Sequence, residues 1–382
     1  MARALALAGS ILSLGLIAGS VAAQPAPPPI GDGPRVYIGS HGNAIYSARL
    51  DAKTGRLSEV TEVAQVERPT WLVTDPERPL LYSVSETGNN GKEQGGVLSL
   101  AIDPATGKLT PISKVASGGG GATHLTYDPR LHAVFVGNFG GGAVSTAQVG
   151  ADGALSSVTS VQINFGSGPL PRQNRPHAHG VVVDPSGHYL LSPDMGADRI
   201  FVYRYDPATQ ALSPAAQPFE QTPAGSGPRH LVFSPDGRFA YLDTELSAEV
   251  RVFSWDATTG RLHPVQALSI DNPDFKGEKS AAEIAISKDG RFIYVSNRGE
   301  NTLLVYAVNP RDGTLTKLQE LACGGEVPWS FAIDPSGRWL LTANETSSNI
   351  TVFAIDQATG KLADTGQSVA APKPVVFAFY PK

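Results

Sequence analysis

Ionisable side chains suited to acid–base chemistry gather in one stretch of the sequence, residues 171–246. Five of them stand at the starts or ends of short apolar segments: His177, His179, Arg229, His230 and Glu245. Imidazoles and carboxylates transfer protons near neutral pH, and guanidinium groups bind carboxylates and developing oxyanions. This combination suits an anionic ligand and proton transfer.

A metal site is an alternative for the two histidines of this stretch. If the segment is extended, His177 and His179 lie on the same face and could share an ion. No third ligand is evident from the spacing, so we expect no metal here. The single cysteine, Cys323, has no partner for an internal disulfide, and we expect it to be a small buried residue.

The elements that position these side chains are repeats. One turn phrase recurs seven times, in forms such as DPATGKL (103–109) and DATTGRL (256–262), at intervals of about fifty residues. A second phrase, such as SPDGRFAYLDTE (234–245), interleaves with it six times and predicts a β-hairpin. Four short strands in each repeat are typical of a β-propeller blade.

The seventh hairpin is divided between the two ends of the chain. Residues 375–379 resemble the entering strand of a hairpin, and residues 35–38 resemble the leaving strand. Pairing them would close a ring. The sequence therefore predicts an all-β fold, a seven-bladed β-propeller closed by pairing of the N- and C-terminal segments.

The register of the repeats places polar residues at equivalent positions of successive blades. One column, at the end of a strand, contains six hairpin residues and the N-terminal His41: Glu86, Phe139, Met195, Glu245, Arg298, Glu345 and His41. A second column, at the start of the strand that lines the channel, contains Thr70, Thr123, His179, Arg229, Ala282, Trp329 and Val375. We expect both columns to meet at one mouth of the central channel, where they form a polar pocket. The alternative is that such side chains only hold neighbouring blades together.

Composition limits the functional classes. With 41% hydrophobic residues, 17% charged residues and a net charge of −5, the chain can build a large core and does not suggest nucleic-acid binding.

Residues 1–23 fit a signal peptide ending at Ala23, and residues 24–34 form a Pro-rich leader. Residues 35–382 are the predicted propeller domain. We expect a periplasmic or secreted protein with no membrane anchor after cleavage, and a monomer, because a closed propeller has no long free edge.

Several phrases resemble the seven-bladed propeller lactonases, which include 6-phosphogluconolactonases and are related to carboxy-muconate cyclases. They include NFGGG (138–142), RQNRPHAHG (172–180), GSGPRHLVFSPDGRFAY (225–241) and SNRG (296–299). The resemblance extends from Arg35 to Lys382. It implies four catalytic residues, His177, Arg229, Glu245 and Arg298, with no metal and no organic cofactor. The pocket residues that we expect to bind substrate are His179, His230, Trp329, His41 and Glu86.

The predicted activity is hydrolysis of a sugar-type lactone to its hydroxy acid, with Glu245 or His177 as the general base. A muconate-type cycloisomerase and a non-catalytic ligand-binding propeller are the alternatives. Two departures from the family pattern argue against a phosphorylated substrate. Trp329 stands where relatives often carry an arginine, and the signal peptide separates the protein from cytosolic sugar phosphates.

Overall fold

The computed structural model describes Met1 and residues 33–380. The predicted signal peptide and most of the leader therefore lie outside the described residues. The described chain forms seven four-stranded antiparallel sheets, and in blades 2 to 7 the first strand along the chain is innermost. This confirms the predicted seven-bladed propeller.

The strands follow one another around the ring, four to a blade. Blade 1 contains β1 (Arg35–Ser40), β2 (Ala44–Arg49), β3 (Thr61–Gln65) and, as its fourth strand, the last strand of the chain. Blade 2 contains β4 (Leu72–Thr74), β5 (Leu80–Ser85), β6 (Gly96–Ile102) and β7 (Leu109–Ala116). Blade 3 contains β8 (Ala122–Asp128), β9 (Ala133–Asn138), β10 (Ala143–Gln148) and β11 (Ser160–Ile163). A 3₁₀ helix (Pro171–Gln173) lies in the connection to blade 4.

The second half of the ring repeats this arrangement. Blade 4 contains β12 (Val182–Val183), β13 (Tyr189–Asp194), β14 (Arg199–Asp206) and β15 (Ala211–Gln221). Blade 5 contains β16 (Pro228–Phe233), β17 (Phe239–Thr244), β18 (Glu249–Asp256) and β19 (Arg261–Ser269). Blade 6 contains β20 (Ala281–Ile286), β21 (Phe292–Asn297), β22 (Thr302–Val308) and β23 (Leu315–Ala322). Blade 7 contains β24 (Pro328–Ile333), β25 (Trp339–Asn344), β26 (Asn349–Ile355) and β27 (Leu362–Ala370).

The two ends of the chain close the ring. The last strand, β28 (Pro374–Tyr380), is the innermost strand of blade 1 and pairs antiparallel with β1, with Tyr37 opposite Ala378. The predicted pairing of the terminal segments is thus confirmed. It joins the first and last repeats by backbone hydrogen bonds rather than by packing alone.

The hydrophobic core lies between blades. Each cluster of buried side chains combines two neighbouring sheets, as when Tyr241 and Val250 of blade 5 pack with Ile293 and Leu304 of blade 6. Second strands such as β17 are buried on both faces because they lie between two neighbouring blades. This explains why the sequences of these second strands are nearly continuous apolar runs.

The recurring turn phrase also joins the blades. Gly313 adopts a φ of +76°, and a Cβ there would come within 2.4 Å of the Phe239 ring of the neighbouring blade. Only glycine combines that backbone conformation with so close an approach. The phrase therefore recurs because it packs against the next hairpin as well as because it turns the chain.

Innermost strands are bulged where they begin. In β16 the pairing with β17 shifts between Pro228 and Leu231, and β8, β20 and β24 shift at the equivalent place. A bulge leaves a residue unpaired and redirects its side chain. The residues in these bulges include Arg229 and Trp329, and they lie at the mouth of the channel.

Candidate active site

Glu245 lies at the centre of a cluster of charged side chains at the channel mouth. Its side chain is 3% exposed, and its Oε2 lies 2.9 Å from an Nη of Arg298 and 3.2 Å from Nε of Arg229. Its Oε1 accepts a 2.6 Å hydrogen bond from Arg172. One carboxylate thus faces three guanidinium groups, so the cluster keeps a net positive charge.

The neighbouring blade holds two of these guanidinium groups in place. Arg229, in the bulge of β16, donates to the carbonyl oxygen of Ala282, and Arg298, which follows β21, donates to that of Ala281 at 3.1 Å. Both acceptors belong to β20. Donors fixed in this way need little reorganisation when negative charge develops on a ligand.

Electrostatics fix the charge of Glu245. Burial alone would raise the pKa of this carboxyl, but the charges of Arg298 and Arg229 outweigh burial and hold the pKa well below its usual range. The group is therefore ionised across the neutral range. A carboxylate with so low a pKa is a weak general base.

His179 is a stronger candidate for the base. Its Nε2 lies 3.9 Å from Oε2 of Glu245, a separation that leaves room for a bridging water. Burial, together with the charge of Arg229, lowers the pKa of this imidazole well below its usual value. The ring is therefore neutral near pH 7 and can accept a proton.

His177 lies behind the cluster. Its ring stacks on Phe139 with centroids 4.3 Å apart, and its Nδ1 lies 2.9 Å from the Phe139 carbonyl oxygen. His179 contacts the same Phe139 ring edge-on, with centroids 5.6 Å apart. The structure brings His179, rather than His177, next to Glu245.

A cavity of about 220 Å³ opens beside the charged cluster. Trp329 forms part of its wall, with the Arg298 guanidinium 4.6 Å from its ring centroid. His41 contacts the edge of Trp329 and pairs with Glu345 at 3.2 Å. The lining residues are His41, Arg68, Glu86, Asn89, Thr123, Phe139, Arg172, His179, Glu245, Arg298 and Trp329.

Polar groups from blade 2 form the far side of this cavity. Glu86 accepts a 2.8 Å hydrogen bond from the side-chain amide of Asn89, and Arg68 lies 3.8 Å from its other carboxylate oxygen. Carboxylate and amide groups bind hydroxyls well, while Trp329 and Phe139 offer apolar ring faces. The cavity thus combines a cationic end with a wall suited to a polyhydroxylated ring.

A larger cavity, of about 430 Å³, lies at the other end of the strands, between the hairpin turns of blades 5 and 6. Its arginines already bind within their own turns, Arg238 to Asp236 and Arg291 to Asp289, both at 2.7 Å. Those side chains are half exposed, and no buried ionisable cluster accompanies them. We therefore assign the candidate active site to the channel mouth.

His230 lies beneath the cavity and does not line it. The side chain is buried, and Nδ1 lies 3.0 Å from Oε1 of Glu283. Sequence reasoning missed Glu283, and it also missed Arg172, Arg68 and Asn89. Arg172 belongs to the quoted RQNRPHAHG phrase, but it lies in a connection between blades, where the repeat register gives no equivalent position.

Across residues 33–380, no group of three or more His, Cys, Asp or Glu side chains is arranged to hold a metal ion. No helix in that range is long and apolar enough to cross a membrane.

Comparisons with known proteins agree with this architecture. The profile of the family described as lactonase, 7-bladed beta-propeller, matches residues 35–379. The 6-phosphogluconolactonase of Bacillus subtilis is 32% identical over 90% of this chain and 97% of its own length. A probable 6-phosphogluconolactonase of Arthroderma benhamiae is 31% identical over 96% of this chain and 91% of that protein.

A solved structure extends the likeness to three dimensions. It is the periplasmic gluconolactonase PpgL of Pseudomonas aeruginosa, which superposes on this chain with a TM-score of 0.85 and 38% identity. The match covers 91% of this chain and 98% of that one. The predicted family is confirmed: this chain belongs to the seven-bladed β-propeller lactonases.

Proposed function

We propose that this protein hydrolyses a non-phosphorylated, polyhydroxylated sugar lactone to its hydroxy acid, without a metal or cofactor. The observation that carries the proposal is the set of guanidinium groups around Glu245, which opens into a cavity with aromatic and hydroxyl-binding walls. Ester hydrolysis requires an activated water and donors for an oxyanion. The cluster provides candidates for both.

The proposed mechanism uses His179 as the base. A water between His179 Nε2 and Glu245 attacks the lactone carbonyl carbon while its proton moves to Nε2. Arg298, which lines the cavity, stabilises the resulting oxyanion, Arg229 adds positive charge from behind Glu245, and Glu245 stabilises the imidazolium. When the tetrahedral intermediate collapses, the ring C–O bond breaks and the leaving alkoxide takes the proton from His179. The product is the open hydroxy acid.

Two observations support a substrate without phosphate. The cavity wall opposite the arginine cluster contains Glu86, and Glu345 lies beside His41, so a phosphate there would face carboxylates. One relative of solved structure, from Pseudomonas aeruginosa, is named a periplasmic gluconolactonase. That name and the predicted signal peptide also support a periplasmic protein, and we propose a monomer with no nucleic-acid or membrane partner.

A panel of lactones tests this proposal with the chain that begins at Gln24. Hydrolysis of glucono-δ-lactone, its 6-phosphate and a muconolactone is followed with and without chelator, after subtraction of spontaneous opening. We expect chelator-insensitive turnover with kcat/KM highest for glucono-δ-lactone. A preference for the 6-phosphate would contradict the assigned substrate, and no turnover of any lactone would contradict the proposed activity.

A further inference from the structure

A second layer of ionisable side chains lies directly beneath the cavity. His230 and Glu283 follow Arg229 and Ala282 in the bulges of β16 and β20, and both are buried. Their side chains approach to 3.0 Å between Nδ1 and Oε1. Neither side chain lines the cavity, so the mechanism above does not use them.

This pair contacts Arg229 from below. An Nη of Arg229 lies 3.2 Å from Nδ1 of His230 and 3.5 Å from its Nε2, while Nε of the same arginine reaches Glu245. Arg229 is only 2% exposed. Its guanidinium is thus fixed from one side by the carboxylate and from beneath by the imidazole.

The charge of the pair determines whether these contacts are favourable. One Nη of Arg229 lies at similar distances from both ring nitrogens of His230, so the guanidinium packs against the imidazole ring, and a neutral imidazole accommodates this cation where an imidazolium would repel it. Nδ1 has one lone pair or one proton, so its in-plane hydrogen bond is the one with Glu283. Burial raises the pKa of Glu283 to about 7, although Arg229 opposes the change, and burial together with Arg229 lowers the pKa of His230 well below its usual value. Both shifts favour a neutral pair.

We propose that His230 and Glu283 form a positioning pair, which holds the Arg229 guanidinium against Glu245, directly behind the lactone-binding cavity, as long as Glu283 is protonated. This inference rests on the proposed lactonase function and adds two residues to its machinery. They act through Arg229 and do not touch the substrate.

Ionisation of Glu283 weakens this arrangement. The proton leaves to solvent, and the new negative charge lies beside Arg229, where it competes with the developing oxyanion. The other groups that face the pair are Asp243 of β17, which accepts the His230 backbone N–H at 2.7 Å, Ser330 of β24, and two histidines, His124 and His179, whose rings lie 4.9 Å and 5.2 Å from His230. The charges of Glu245 and Arg298 also act on His230 from the cluster above. Burial lowers the pKa of both histidines well below its usual value, so the cations near the pair are Arg229 and Arg298, which already face Glu245. Turnover should therefore fall as the pH rises through about 7.

The pH dependence of kcat and KM for glucono-δ-lactone tests the pair between pH 5 and 8. Glu283→Gln keeps a neutral hydrogen-bonding group, so we expect near-normal kcat at pH 6 and no decline above neutrality. Glu283→Ala removes the support of His230, and we expect kcat to fall about tenfold with little change in KM, because a hydrogen bond to a charged unit is lost. A decline that persists in Glu283→Gln, or a normal kcat in Glu283→Ala, would overturn the pair.

A matched control and a second readout separate this inference from the proposed activity. Asp184→Asn changes another buried carboxyl, at a hairpin turn where it accepts from Trp255, and should lower the melting temperature without altering the pH profile.

If the wild-type protein hydrolyses no lactone, the proposed activity fails, and the Arg229 Nε–H resonance then tests the pair. Its shift should follow the ionisation of Glu283 and should be independent of pH in Glu283→Gln; a signal unaffected by either change would refute the contact.

Discussion

Glu245 should stabilise the fold as well as the active site, and Glu245→Gln measures how much. The substitution preserves shape and removes one negative charge. Arg229 and Arg298, whose side chains are 2% and 9% exposed, then lose their counter-ion. Leaving buried charges without a partner costs about 3–5 kcal/mol. We therefore expect the free energy of unfolding to fall by that amount.

The control is another Glu–Arg pair in the same blade. Glu249 lies 2.8 Å from Arg251, and its side chain is 27% exposed. Solvent screens such a pair, so Glu249→Gln should change stability by about 1 kcal/mol or less. Urea denaturation of the three proteins at pH 7 provides the comparison, with the slope against urea expected to stay constant.

The pH dependence of the free energy of unfolding tests the contribution of Glu245 in a second way. Because the folded pKa of Glu245 lies below the unfolded value of 4.5, its contribution is fully present above pH 4.5 and is lost as the pH falls through the folded pKa. The difference between wild type and Glu245→Gln should therefore be constant from pH 5 to 8. Equal losses in Glu245→Gln and Glu249→Gln, or a difference that vanishes at pH 6, would refute this reasoning.

Three further predictions concern catalysis and packing. Arg298→Ala should lower kcat/KM for the lactone by about 10²–10³, as loss of an oxyanion donor does, while Arg251→Ala should leave it unchanged. Because the pKa of His179 is lowered, the decline of kcat/KM on the acid side should lie below pH 6.5. His179→Gln should lose most of the activity, and this decline with it. A decline at or above pH 6.5 would argue against His179 as the base. Gly313→Ala should destabilise the fold by more than the roughly 1–2 kcal/mol that its positive φ costs a residue with a side chain, because the new methyl group also meets Phe239. The control is Gly366→Ala, with a φ of +71° and nothing within 4 Å, which should lose only the backbone cost. Equal losses of stability in thermal or urea denaturation would exclude the clash with Phe239.

The fold could be predicted because every blade has the same structural requirements. Every repeat needs a tight turn, an apolar second strand and a glycine that packs on the next blade, so the phrases recur at a fixed interval. The divided blade could be recognised for the same reason, since residues 375–379 and 35–38 complete a pattern found six times elsewhere.

The candidate site was only partly predictable. Strand ends in the repeat register identified Glu245, Arg229, Arg298 and His179 as neighbours at one mouth. The choice of base was not predictable, because the irregular pairing near Ala178, and not the His-x-His spacing, determines which imidazole faces Glu245. Arg172 lies in a connection with no counterpart in other blades, and the bulge that places Glu283 beneath Arg229 depends on strand pairing, which a single strand does not reveal.

Oxygen-isotope labelling tests the central claim most directly. Glucono-δ-lactone is hydrolysed in H₂¹⁸O by the wild-type protein and by Arg229→Ala, and the rate and the labelled position of the product are measured. The account predicts a wild-type rate well above the spontaneous one, one ¹⁸O atom in the carboxylate, and loss of most of the enhancement in Arg229→Ala. Label on the ring-derived hydroxyl, or an equal rate in a folded Arg229→Ala protein, would contradict attack of water on a carbonyl held by this arginine cluster.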